Sequence, residues 1–207
     1  MYITDNQNNA INEIIEMTVS VVGKGSRELN TTEAISCVAR LAGSFLFRSF
    51  ELKVGDVKPG TVMLSHEANT KGPQLVNITH AALQNFGIQI DNDKMSKVNR
   101  HISHLGFLDD MDRIQTAALA IMKNNDLSYE QMSQAAAIAT AFIIHQSNNI
   151  QAEEGFGTAI YHYIEGTKTF PPEFANTTEN KPFAEPSPTK NDANAPKVSS
   201  KPWWKFW

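Results

Sequence analysis

The sequence predicts an all-α fold: a single helical bundle-like domain of about six or seven helices, followed by a disordered C-terminal tail. Three observations predict it. Apolar residues recur at helical spacing from Ile11 to Tyr163. Capping residues and glycines punctuate that pattern where helices would start and stop. Seven of the nine prolines fall at or beyond Pro171, where Asn, Thr, Ser and Lys replace the apolar groups. The helical domain is expected over 1–168, a Pro-rich linker over 169–200 and an aromatic-basic motif over 201–207.

With 207 residues, 41% of them hydrophobic, the chain is long enough to bury a core without staples. A net charge of −4 argues against nucleic-acid binding by bulk electrostatics. The one cysteine, Cys37, leaves no internal disulfide to form. The first residues lack a basic start followed by an apolar run, so no signal peptide is expected. No apolar stretch approaches the ~20 residues of a membrane span. A soluble cytoplasmic protein is the expectation, membrane-associated if its tail anchors it.

The first helix opens at Thr4 with Gln7, a capping-box pair, and carries Ile11, Ile14, Ile15, Val19 and Val22 before Gly23 stops it. Asn30 with Glu33 starts the second, whose apolar face runs from Ile35 through Val38, Leu41, Ala42, Phe45 and Leu46 to Phe50. Gly43 and Ser44 interrupt that face and would let another helix approach closely. Lys53–Gly60 reads as a loop, and Thr61–Leu64 is the one place a short strand is conceivable.

Ser65 caps a short turn through Asn69, and Gly72-Pro73 restarts the chain as a new helix carrying Leu75, Val76, Thr79, Ala82, Leu83 and Phe86. Gly87 ends it. Asp91–Asp93 opens a helix with Met95, Val98, Ile102 and Leu105 on one stripe, closed by Gly106. Asp109 and Asp110 open the next, with Met111, Ile114, Ala118 and Ile121, broken at Asn124-Asn125. Ser128 and Gln131 form a capping box before a helix apolar nearly all round, which suits a central position. Phe156, Ala159, Ile160 and Tyr163 mark a last helix, weakened by Gly155 and Gly157.

All three tryptophans lie within the closing run Lys201-Pro202-Trp203-Trp204-Lys205-Phe206-Trp207. Burying a few such aromatics, at roughly 1.5–3 kcal/mol each, supports micromolar binding after entropic losses. Lys201, Trp203, Trp204, Lys205, Phe206 and Trp207 are therefore the candidate docking residues. The surfaces that fit are an aromatic-accepting groove on a partner protein, the membrane interface, or a groove on the same domain. Specific nucleic-acid binding is not expected, because Lys197, Lys201 and Lys205 would release few counterions.

No catalytic or cofactor motif stands out, and a non-enzymatic interaction protein is the preferred reading. Lys94, Lys97, Arg100, His101 and His104 form a candidate face for an anion or an acidic partner. His101 and His104 share the i, i+3 spacing of zinc ligands, the basis of an alternative reading as a helical enzyme or metal-binding protein. The flanking cations would repel a metal, so no metal or cofactor is expected. Cys37, set among Ile35, Val38 and Leu41, reads as a buried structural thiol. Gly23-Lys24-Gly25-Ser26 lacks the spacing of a phosphate loop, and Asp91-Asn92-Asp93 lacks the glycine and glutamate of a calcium loop. Tyr161-His162-Tyr163 would line either a pocket or a half-buried helix face.

Overall fold

A computed structural model describes residues 3–23, 29–95 and 103–174. Among these the regular structure is seven α-helices: α1 Asp5–Gly23, α2 Thr31–Arg48, α3 His66–Asn85, α4 Asn92–Met95, α5 Phe107–Asn124, α6 Tyr129–Gln146 and α7 Ala152–Lys168. The all-α prediction holds. The described residues belong to one compact unit, Met1–Ala175. The linker from 175 onward, and with it the 201–207 motif, lies outside the described residues.

The caps form where the sequence places them. Thr4 and Gln7 exchange bonds at the start of α1, Asn30 Oδ1 accepts from Glu33 N, and Ser128 and Gln131 close their box. Each such cap contributes about 1 kcal/mol. Gly87 adopts a φ of +82°, the left-handed conformation that ends α3 without strain.

Cross-helix contacts fix the helix directions. Arg40 meets Asp110 and Arg48 meets Gln115, so α2 and α5 run the same way. The Cβ position of Gly155 approaches Ile35, and that of Gly166 approaches Arg40 and Gly43, so α7 runs with them. α6 runs against α2, pairing Asn149 just beyond its end with Thr31 and Tyr129 with Phe45. α3 follows α6, through Lys71 with Glu130 and Thr79 with Ala137. α1 also follows α6, through Gln7 with Gln134, and opposes α5, through Glu13 with Asn125. Three long helices thus run one way and three the other.

α2 occupies the centre. Fifteen of its 18 residues are buried against 11 of 18 in α6, so the central position expected for α6 is shared, with α2 the more enclosed. The α2–α7 contact is the close approach that Gly43 and Ser44 foretold. A Cβ added to Gly43 would lie 2.7 Å from Gly166 Cα, and one on Gly166 would lie 2.5 Å from the Arg40 carbonyl oxygen.

Three local expectations are corrected. The turn through Asn69 and the restart at Pro73 are one helix, α3, capped by Ser65 Oγ on Ala68 N at 3.0 Å. Pro73 deletes only the bond to the Asn69 carbonyl, a cost of about 3 kcal/mol. Burial of Ala68, Leu75, Thr79, Ala82 and Leu83 on both sides of it offsets that loss. Of the helix expected from Asp91 to Leu105, the described residues show one turn at its start, α4, and Ser103–Leu105 are not helical. Val98 and Ile102 lie outside the described residues. Gly106 does not close that helix; it is the N-cap of α5, its N–H donating to Asp109 Oδ2 at 2.9 Å.

The conceivable strand at Thr61–Leu64 forms a single antiparallel bridge, Val62 to Thr169. Around it Gly60 N donates to Phe170 O, Phe170 N to Thr61 O and Met63 N to Lys168 O, at 2.7–2.9 Å. Thr169–Phe174, placed in the linker on composition, lie on the domain. Arg48 Nη2 donates to the Pro172 carbonyl at 2.5 Å, and its guanidinium carbon sits 4.0 Å from the centre of the Phe174 ring. Gln115 Nε2 donates to Glu173 O, while Phe170 and Phe174 pack on Phe47 and Phe45.

Candidate functional site

The densest polar constellation lies where α2, α5 and α7 meet. Arg40, only 2% exposed, stands in the middle of the apolar face of α2. Its Nη1 donates to Asp110 Oδ2 at 2.6 Å and its Nε to Glu165 Oε2 at 2.7 Å. The same Glu165 oxygen lies 2.8 Å from Nδ1 of His162, itself fully buried. Arg113 adds a longer contact to Asp110 Oδ1 at 3.5 Å. Two guanidiniums therefore face two carboxylates, and the charges balance.

Electrostatics follow from burial and pairing. Burial lifts the Asp110 carboxyl above its ordinary value, and the Arg40 and Arg113 guanidiniums only partly reverse this. Burial also pushes Glu165 up, but hydrogen bonds from His162 and Arg40 outweigh it and leave that carboxyl below its usual range. For Arg40, burial works against the charge, yet the bonds to Glu165 and Asp110 raise its pKa. The Cys37 thiol is pushed well up, first by burial and then by the Asp110 carboxylate, so it is no nucleophile. That agrees with its reading as a structural thiol.

The cluster also organises the backbone. Arg40 Nη1 donates to the Leu105 carbonyl at 2.8 Å. Glu33 accepts from Ser103 Oγ at 2.5 Å and from His104 N at 2.9 Å. Side chains of α2 thereby hold backbone groups of the bend before α5. His104 is exposed on a bend and not on the expected helix, with its backbone engaged by Glu33. Lys94 is exposed on α4, and Lys97, Arg100 and His101 lie outside the described residues. No group of three metal-ligating side chains converges among the described residues.

Comparison with protein-family models, curated proteins and solved structures found no match. The chemistry must therefore be read from this chain alone.

Of the Tyr161-His162-Tyr163 cluster, His162 and Tyr163 are buried and Tyr161 is exposed. Tyr163 shares a 2.6 Å hydrogen bond with Thr79, and burial pushes its pKa up to about 12. Arg48, beneath the 169–174 strap, is lowered to about 10 by burial and stays charged at neutral pH. Two concavities complete the inventory. A cleft of about 820 Å³ between α1, the start of α2 and the end of α6 is lined by Val19, Phe142 and a neutral rim including Asn30 and Asn148. A groove of about 320 Å³ lies between α3 and α7.

Arg40, Asp110, Glu165 and His162 went unnoticed as a group at the level of sequence. The one available signal was an arginine standing inside an otherwise apolar run, Ile35 to Phe47. A cation there requires buried carboxylates, but nothing local says which.

Proposed function

We propose that this is a non-enzymatic interaction protein of the cytoplasm. Its helical domain carries a tethered motif, Trp203-Trp204-Lys205-Phe206-Trp207, that docks in an aromatic-accepting groove on a partner protein. The observation that carries this reading is the confinement of every tryptophan in the chain to its last five residues, interleaved with lysine. Two further features support it. In the polar cluster where α2, α5 and α7 meet, Arg40 is satisfied by Asp110, Glu165 and a backbone carbonyl, while Asp110 Oδ1 and His162 Nε2 make no hydrogen bond. Arg48 also holds the chain at Pro172–Phe174, giving the linker a fixed point of departure.

A pull-down compares the full chain with one ending at Ser200. The expected result is a partner retained by the full chain and lost by the short one; identical partner sets sink the proposal. The same Trp and Lys composition suits a membrane interface, where indoles sit at headgroup depth and lysines meet anionic lipid. No helix among the described residues is long and apolar enough to cross a membrane, so such attachment would be peripheral. Flotation of both forms with anionic liposomes separates the readings: tail-dependent flotation favours the membrane, equal behaviour removes it.

A further inference from the structure

We propose that the groove between α3 and α7 binds a small apolar monocarboxylate, with Lys168 as the counter-charge. Its volume, about 320 Å³, is at the small end of ligand pockets. Ala68, Pro73, Val76 and Ile164 supply apolar walls, and Ile164 is 51% exposed. Gly72 contributes no side chain, which keeps the groove open between the two helices.

Charge selects the occupant. Among the described residues, Lys168 is the one charged residue lining the groove, and no carboxylate lines it. The nearest acid along α7, Glu165, is held by Arg40 and His162, and Lys168 makes no ion pair among the described residues. The side-chain amides of Asn69 and Asn77 stand in the same lining, also without a hydrogen-bond partner among the described residues. An ammonium and two amides beside an apolar floor suit a carboxylate carried on a short hydrocarbon body. Among the described residues the larger cleft has no charged lining residue and offers no comparable selection.

Octanoate titrated into the full chain tests this, read by calorimetry and by amide chemical shifts. The expected dissociation constant is on the order of 1 mM, with shifts centred on Val76, Ile164 and Lys168. Octanamide, with the same body and no charge, is expected to bind about tenfold more weakly. Lys168→Gln should weaken octanoate about tenfold and leave octanamide unchanged, a pattern a folding defect cannot produce. Val76→Trp should fill the groove and abolish both. Absence of shifts up to about 20 mM octanoate, shifts centred on another surface, or equal octanoate affinity in Lys168→Gln each overturn the proposal.

Discussion

Replacing Arg40 by methionine removes the cation that two carboxylates share while keeping most of its apolar stem. Asp110 is then left buried with only the longer contact to Arg113, and a loss of about 3 kcal/mol is expected in urea unfolding. Adding Asp110→Leu should recover much of that loss, because the uncompensated charge goes with it. Glu165 sets a pH dependence of definite sign. Its carboxyl lies below its ordinary value when folded, so the stability it contributes is present above the unfolded value, ~4.3, and is lost as pH falls through the folded one. Asp110, raised by burial, acts with the opposite sign. Glu165→Gln should therefore flatten the acid limb of a plot of urea midpoint against pH, and an unchanged limb would remove Glu165 from the account.

At the level of the element, the α2–α7 contact depends on two missing side chains. Gly43→Ala and Gly166→Ala each drive a Cβ into backbone that cannot turn aside, and each should cost about 3 kcal/mol or more. Gly157→Ala is the control. Its Cβ would meet nothing within 4 Å, so the better helix former should add roughly 0.5–1 kcal/mol. Thermal melts of the three variants distinguish packing from propensity. These elements also show what was legible in the sequence. Caps at Thr4, Asn30 and Ser128 rest on neighbours within a turn and were readable. The small-residue gap at Gly43 was readable too, but its partner Gly166 was not. Pro73 and Gly106 were misread because their surroundings depend on distant partners. Packing on both sides carries α3 through its proline, and Arg40 with Glu33 holds the bend before α5. The Arg40 cluster was illegible for the same reason, since its partners lie 70 and 125 residues away along the chain.

For the molecule as a whole, the strap after α7 belongs to the domain. A chain ending at Phe174 keeps the Pro172 carbonyl and Phe174 ring over Arg48, whereas one ending at Lys168 leaves that guanidinium without them. The shorter chain should melt lower, on the order of 2–4 °C for each kcal/mol lost in a domain of this size. Equal melting temperatures would show the strap to be energetically idle.

The same-direction packing of α2 against α7 has a consequence for biosynthesis. Two neighbours that point alike cannot be joined by a tight hairpin, and here four other helices are threaded between them. While the polypeptide is emerging from the ribosome, Arg40 has no Glu165 to meet until the final helix has been made. The most enclosed of the described helices therefore waits, with its seam open, until α7 has been translated. Its closure is a late event, and nascent chains arrested before α7 should remain protease-sensitive along α2.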